Sequence, residues 1–278
     1  MRLLAVPANI LENNQSNAIL MERIESIRKG FERLLQGQPE ISIVLPAYNE
    51  EASILKTLSS LSKSLTQRSV EVIVVDNNST DQTSAIVHAT GVICIHENVR
   101  GITAARNAGL ATARGKYILN ADADTIYPPD WIEEMIKPLQ NSDITVVYGR
   151  FSFLPGADTP RLVYFIYEHM AGLMRRINKH WREEAVNVYG FNSGFKREQG
   201  LQVDGFNHPV GTNEDGWLAL KLRRNGFGKL YYVNTINALV WTMDRRIQMD
   251  GGPWRAFVRR IKRILTNDND KYGGQSAG

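Results

Sequence analysis

The sequence predicts an α/β fold with a doubly wound, largely parallel sheet, and three features of the chain indicate it. From Glu40 onward, short apolar runs alternate with segments of helical periodicity. The runs are apolar at consecutive positions, as in parallel strands buried on both faces. Polar side chains follow where three of the runs end, at the edge where such sheets bind ligands. Right-handed crossovers would build a Rossmann-like half with helices on both faces.

The predicted elements form a strand-rich first half, about 39–125, and a second half, about 126–250. The first half has strands at 41–46, 70–76, 91–96 and 116–122 and helices at 51–66, 81–90 and 101–113. The second half has a helix after "PPDW" (128–131), a strand at 143–151, one or two helices over 160–186 and a strand at 229–233. Together these elements predict one domain over 39–250.

Both ends of the chain are predicted to be helical additions. Residues 1–38 carry one apolar stripe at helical spacing, formed by Leu20, Ile24, Ile27, Phe31, Leu34 and Leu35, which predicts a helix packed on the main body. Residues 251–278 are predicted to be a basic amphipathic helix and a flexible tail. In 253–265, Trp, Phe and aliphatic residues share one face and arginine and lysine cover the rest. Packing on the body and peripheral contact with a membrane both fit this pattern.

The amino-acid composition indicates the cellular compartment in which the protein is expected. The 278 residues are 43% hydrophobic and 22% charged, as in globular proteins, with a net charge of +4 that fits an anionic partner. Cys94 is the only cysteine, so no internal disulfide can form and a reducing compartment is expected. The N-terminal segment lacks the apolar core of a secretory signal, and no apolar run approaches 18 residues. We therefore expect a cytoplasmic protein, either free or on the inner face of the cell membrane.

Asp122 and Asp124 are the most informative pair in the sequence. They end the fourth strand in "KYILNADADT" and share one face, with α-carbons about 6.6 Å apart. Two carboxylates this close need a counter-charge. Mg²⁺ or Mn²⁺ bound between them and a diphosphate would supply it. Walker, GxGxxG, HExxH and nucleophile-elbow motifs are absent, which lowers the rank of P-loop, hydride-transfer and serine chemistry.

Four ordered motifs resemble a family 2 glycosyltransferase of the GT-A fold. They are "ISIVLPAYNEEASI" (41–54), "VEVIVVDNNSTDQT" (70–83), "GITAARNAGLATARGKYILNADADT" (101–125) and "GTNEDGWLALKLRRNG" (211–226). The resemblance implies a Rossmann-like, doubly wound mixed sheet. It also implies that the first half binds a nucleotide and the second half binds an acceptor.

The resemblance assigns the nucleotide-side residues by position. Pro46, Ala47, Tyr48 and Glu50 would cradle the base and ribose, and Asp76 and Asn77 would hold the base edge. Asp122 and Ala123 would contact the ribose and phosphates, and Asp122 and Asp124 would bind the metal, Asp124 directly. Arg106 would either support this part of the site from below or contact the phosphates. Each of three residues also has a structural alternative. Tyr48 could be a packed loop aromatic, Asp76 a turn cap and Arg106 a member of a structural ion pair.

On the acceptor side, Asp215 resembles the general base of the family, with Glu214 as its neighbour. Exposed charges at a helix start are the alternative for this pair. Trp217 fits either a floor for a sugar ring or a place in the core.

The chain also departs from the family pattern. It lacks QxxRW after "NEDG", which favours transfer of single sugars, and it has no obvious metal-binding histidine. "VWTMDRR" (240–246) occupies roughly the place of that histidine, and His208 fits an acceptor pocket or a turn.

The sequence thus predicts a metal-dependent inverting glycosyltransferase using Mn²⁺ or Mg²⁺. Its donor would be a nucleotide sugar, UDP- or GDP-sugars ranking first, and its acceptor a hydroxyl of a saccharide or lipid-linked saccharide. No nucleic-acid partner is expected. A sugar-phosphate nucleotidyltransferase would want a glycine-rich basic loop, whereas "PAYNEE" is acidic and lacks glycine. A non-catalytic nucleotide-sugar-binding module is the third interpretation, although it has no use for a base.

Overall fold

Ten strands and ten α-helices make up the part of the chain that the computed structural model describes, residues 3–155, 159–244 and 252. The strands are β1 (Ile41–Ala47), β2 (Val70–Asp76), β3 (Ile93–His96), β4 (Tyr117–Asn120), β5 (Thr125–Ile126), β6 (Ile144–Tyr148), β7 (Phe151–Phe153), β8 (Ser193–Lys196), β9 (Lys229–Tyr232) and β10 (Val240–Thr242). The helices are α1 (Ala8–Asn13), α2 (Asn17–Met21), α3 (Ile24–Leu34), α4 (Ile54–Ser62), α5 (Thr83–Ala89), α6 (Ile102–Thr112), α7 (Trp131–Leu139), α8 (Arg161–Trp181), α9 (Arg197–Gln202) and α10 (Glu214–Arg224). A 3₁₀ turn spans Glu184–Asn187.

Seven strands form the main sheet in the order β3-β2-β1-β4-β8-β6-β9. Strands β1 to β4 pair in parallel, β8 is antiparallel to both β4 and β6, and β9 is parallel to β6. This confirms the prediction of a mixed sheet. Because β8 reverses direction between β4 and β6, the carboxyl ends of β1, β2, β4, β6 and β9 all lie at one edge.

Helices cover both faces of this sheet, as predicted. Alternating side chains of β1 enter different cores, Ile43 and Leu45 on one face and Val44 on the other. Helices α3, α4 and α7 pack on the first face, and α6 and α10 pack on the second. Strand alternation thus divides the apolar residues between two layers of helices.

The predicted single strand over 143–151 is wrong, because the chain turns at Gly149 and Arg150. β6 stays in the main sheet, while β7 joins a second sheet with the order β5-β10-β7. Asn192 stabilises the turn, since its Nδ2 donates to the carbonyls of Arg150 (2.6 Å) and Ala238 (3.2 Å). Strands β5, β8 and β10 were not predicted.

The N-terminal stripe is largely buried, but three short helices replace the continuous one. Leu20, Ile27, Phe31 and Leu34 enter the core with α4, whereas Leu35 remains 38% exposed. Leu35 was therefore wrongly assigned to the buried stripe. The predicted basic helix at 253–265 lies outside the described residues. Within 3–155 and 159–244, no helix combines the length and apolar character that crossing a membrane requires.

Candidate active site

A cleft of about 380 Å³ lies at the carboxyl ends of β1, β2 and β4. Eight of the predicted site residues line it: Pro46, Ala47, Tyr48, Glu50, Asn77, Asp122, Ala123 and Asp124. The loop Arg100–Ile102 forms the opposite wall and was not predicted to belong to the site. Residues separated by up to 78 positions therefore meet where the topology places a ligand.

Tyr48 and Glu50 follow β1 but differ in exposure. Tyr48 is 47% exposed, and the guanidinium of Arg100 lies over its ring, 5.6 Å from the centroid. Glu50 is buried, and its carboxylate accepts a hydrogen bond from Ser53 Oγ (2.6 Å) at the start of α4. Tyr48 is thus open to a ligand, whereas Glu50 also fixes the loop to the helix.

Asp76, the last residue of β2, and Asn77, the next residue, hold the backbone of the cleft. Asp76 Oδ1 accepts from Ser79 N (3.0 Å), as in the turn-cap alternative, and Asp76 is not among the lining residues. Asn77 Nδ2 donates to the carbonyls of Glu97 (2.9 Å) and Val99 (2.7 Å), and its Oδ1 accepts from Gly101 N (2.8 Å). The Asn77 side chain therefore shapes the wall opposite β1.

Arg106 lies at the centre of the site and is only 1% exposed. Its Nη1 donates to the carbonyls of Val44 and Ala121, both at 3.1 Å, and so ties β1 to the end of β4. Its Nη2 donates to Asp122 Oδ1 at 2.7 Å. A buried guanidinium thus supplies a counter-charge for one of the two strand-end carboxylates.

Asp215 lies beside the same guanidinium, in the first turn of α10. Asn213 caps this helix by accepting from Gly216 N (2.6 Å). Burial raises the pKa of Asp215 to about 8; Arg106 opposes that rise, and Glu214 and Asp122 add to it. Within the described residues, Asp215 Oδ1 has no hydrogen-bond partner. The arrangement places a buried carboxyl group, which keeps its proton up to a pH of about 8, beside Glu214 and Arg106.

Gly190 makes the approach of Asp215 to Arg106 possible. A Cβ at this position would lie 2.4 Å from Arg106 Nη2 and 2.6 Å from Asp215 Oδ2. Any larger residue would displace one of these groups. Gly190 was not predicted as a site residue, and its only signal in the sequence is a glycine in "YGFNSG".

Asp122 and Asp124 fit a divalent cation as a partial set of ligands. Both side chains are partly exposed in the cleft, and Asp124 is held through its backbone by Met243 N (3.1 Å) from the end of β10. Asp122 N is held by Tyr127 Oη (3.0 Å), a buried tyrosine that prediction missed. Within the described residues, no group of three His, Cys, Asp or Glu side chains is placed to hold a metal. One or two carboxylates plus phosphate oxygens is nevertheless the usual donor set for Mg²⁺.

Sequence comparison identifies the family. The model for glycosyl transferase family 2 matches residues 42–199, more than half of the chain. The chain belongs to glycosyl transferase family 2. This family 2 chain is similar to glycosyltransferase GlyG of Streptococcus pneumoniae, with 33% identity over 117 residues, which cover 40% of this chain and 38% of that relative. It spans about half or less of the length of the first curated relatives it matches.

Two solved structures with the same fold cover most of this family 2 chain. The mannosyltransferase PcManGT of Pyrobaculum calidifontis, in complex with GDP-Man and Mn²⁺, is 19% identical with a TM-score of 0.57, over 92% of this chain and 75% of its own. Glucosyl-3-phosphoglycerate synthase of Mycobacterium tuberculosis, in complex with Mn²⁺, UDP and phosphoglyceric acid, is 22% identical with a TM-score of 0.55, over 92% and 84%. These likenesses confirm the predicted GT-A fold.

The remaining predicted residues of the family 2 chain lie around this centre. Trp217 lies in α10, packs partly buried against the core, and is not among the residues lining the donor-side cleft. His208 Nε2 is 3.1 Å from Thr103 Oγ1 and joins its loop to α6. Thr242 pairs with Thr125 beside Asp124, and Asp244 is bonded to Tyr164 Oη. The segment from Val240 thus adjoins the carboxylate pair, while Arg245 and Arg246 lie outside the described residues.

Proposed function

We propose that this chain transfers a single sugar from a nucleotide-diphosphate sugar to an acceptor hydroxyl, with inversion of configuration and with Mn²⁺ or Mg²⁺ bound. One observation carries the proposal. Arg106 links the cleft at the strand ends, through Asp122, to the buried Asp215. A site for a charged leaving group and a candidate base are therefore neighbours around one cation.

The cleft provides the donor side. The exposed ring of Tyr48 can pack on a base, and the main chain of Pro46 and Ala47 forms the adjoining wall. Asp124, with Asp122, would hold the divalent ion, which supplies positive charge to the departing diphosphate. Arg106 Nη2 donates to Asp122 Oδ1 and so holds that carboxylate in place. The base of the nucleotide remains open between UDP- and GDP-sugars.

Asp215 provides the acceptor side. A base must remove the hydroxyl proton as the oxygen attacks, and a pKa near 8 makes Asp215 a far stronger base than an ordinary carboxylate. Attack from the face opposite the diphosphate inverts the anomeric centre. Glu214 raises the pKa of Asp215 and so acts on its basicity.

The rival functions are less well supported. A binding module gains nothing from a buried carboxylate with an unbonded oxygen, which costs stability. A nucleotidyltransferase would place basic, glycine-rich backbone after β1, where this chain places Tyr48 and the buried Glu50. We propose a saccharide or lipid-linked saccharide as the acceptor and a cytoplasmic site of action, with any membrane contact through 253–265 peripheral.

Thermal unfolding with nucleotides tests the donor side. UDP, GDP and dTDP are each added with Mn²⁺ and with EDTA to the wild type and to Asp124→Asn. A ligand that binds the folded state raises the melting temperature by mass action. We expect one nucleotide to give a manganese-dependent shift that Asp124→Asn abolishes and that the exposed control Asp143→Asn retains. A well-folded wild type that responds to none of them would overturn the proposal.

A further inference from the structure

A second cleft opens at the same edge of the sheet, between α8 and the ends of β6 and β9. Its volume is about 260 Å³. Its basic lining residues are Arg150, Arg175, Arg176 and His169, and no carboxylate is among its described lining residues. The guanidinium groups of the three arginines give this cleft a positive field. We call this the basic cleft.

The described contacts of Arg175 and Arg176 in the basic cleft include no carboxylate partner. The guanidinium carbon of Arg175 lies 3.5 Å from the centroid of the Tyr232 ring, a stacking that fixes the plane of the fork. Among the described residues, no salt bridge pairs Arg175 or Arg176 with a carboxylate. The nearby Glu184 is already bonded to Tyr148 Oη (2.8 Å) and to Lys179 Nζ (3.2 Å).

The basic cleft adjoins the candidate base. Tyr189 lines a small cavity together with Arg150 and Arg175. The next residue, Gly190, packs directly against the carboxylate of Asp215. Strand β6 lies two positions from β4 in the sheet, a separation of about 10 Å. The basic cleft therefore lies on the acceptor side of the molecule, about two strand spacings from the end of β4.

We propose that the basic cleft is a phosphate-binding subsite for the acceptor, so that the acceptor carries a phosphate or diphosphate group. This inference rests on the proposed function. Planar guanidinium groups beside aromatic rings suit phosphate oxygens. The neighbouring outer surface of α8 exposes Leu162 and Ile166, each 57% exposed, and Leu173, 50% exposed. An apolar surface next to a phosphate site favours a phosphate borne by a lipid over one on a soluble molecule.

Calorimetric titration of the full chain with inorganic diphosphate, in EDTA, tests the site. EDTA removes the cation that would draw diphosphate to Asp122 and Asp124. We expect saturable binding that Arg175→Gln weakens tenfold or more, the loss expected of a charge-assisted hydrogen bond. Arg176→Gln, at an exposed position, should weaken binding several-fold without affecting the fold. Arg100→Gln removes the same charge from the donor-side cleft and should leave binding unchanged.

Two results would overturn the subsite. One is equal diphosphate affinity in wild type, Arg175→Gln and Arg176→Gln. The other is loss of affinity in Arg100→Gln alone. Failure of the proposed function appears elsewhere, as absence of manganese-dependent nucleotide binding, because the EDTA titration does not involve the metal site.

Vesicle sedimentation distinguishes a phosphate carried by a lipid from a phosphate carried by a soluble acceptor. Phosphatidylcholine vesicles with and without phosphatidic acid are compared, with inorganic diphosphate as competitor. Binding that needs phosphatidic acid, is displaced by diphosphate and falls in Arg175→Gln supports a lipid-borne phosphate. Saturable diphosphate binding without vesicle binding supports the subsite with a soluble phosphorylated acceptor.

Discussion

The two halves of the site are built in different ways. On the donor side, Tyr48, Asn77 and Asp122 each follow a parallel strand, and the chain reaches them by successive strand–helix units. On the acceptor side, Asp215 begins a helix and reaches the centre because the antiparallel strand β8 separates β4 from β6. The donor side therefore depends on local pattern, and the acceptor side depends on contacts between distant segments.

Replacing Arg106 should disrupt both halves of the site and have the largest effect on stability and activity. Arg106→Met removes a buried cation, which leaves Asp122 without its counter-charge and raises the pKa of Asp215 further. Removing one partner of a buried charged group costs about 3–5 kcal/mol. We expect that loss in denaturant unfolding, with nucleotide binding and turnover lost together. Arg28→Met, which breaks an exposed pair with Glu25, should cost about 1 kcal/mol or less. Similar losses in both variants would contradict the central place of Arg106.

Gly190→Ala should affect the acceptor side more than the donor side. The added methyl would lie within 2.6 Å of atoms of both Arg106 and Asp215, so one must move. A displaced base typically costs about 10²-fold in rate. We expect turnover to fall by about that factor and the nucleotide-induced thermal shift to fall less than in Arg106→Met. Full turnover in the variant would show that Asp215 tolerates displacement.

The titration of Asp215 should appear in both stability and rate. Its ordinary pKa of 3.8 is raised to about 8 by burial, so the folded state keeps a proton that the unfolded state loses. Stability from this group is therefore complete below pH 4 and lost as pH rises through about 8.

Melting temperatures in EDTA of the wild type and Asp215→Asn, followed across this range, measure that loss. The wild type should decline relative to Asp215→Asn as pH rises, and wild-type turnover should increase through pH 8 as the base ionises. Parallel melting curves would contradict the raised pKa.

Asn77→Ala should have the smallest effect, confined to the donor side. The variant loses three hydrogen bonds that hold the loop from Glu97 to Gly101. We expect nucleotide affinity to fall several-fold because the opposite wall of the cleft loosens, with stability lowered by about 1–3 kcal/mol. The exposed Asn98→Ala is the matched control. Equal nucleotide affinity in the two variants would remove Asn77 from the site.

The same contrast explains what the sequence could predict. The strands of the first half are apolar runs whose partners follow within one helix, so periodicity and strand ends predict most of the donor-side lining. β8 is the short segment "SGFK", and Gly194 is accommodated there because it packs on Leu119. No local pattern marks it as a strand.

Gly190 and Tyr127 escaped prediction for the same reason. Gly190 matters because it lies against Arg106 and Asp215, which are distant or separate in the sequence. Tyr127 matters through one hydrogen bond to Asp122 N. Neither role produces a periodic pattern in the sequence. Asp215 was found only through the resemblance to a family. Its burial and its approach to Arg106 are consequences of the sheet order, which the sequence does not specify locally.

Asp215→Asn, assayed for binding and turnover together, tests the central claim most directly. With the nucleotide that stabilises the wild type, the manganese-dependent thermal shift should persist in the variant, because the donor side is intact. Release of nucleoside diphosphate from the matching nucleotide sugar should fall by about 10²–10⁴-fold, since the base is gone. Wild-type turnover in Asp215→Asn, with the protein folded and the nucleotide bound, would contradict the account.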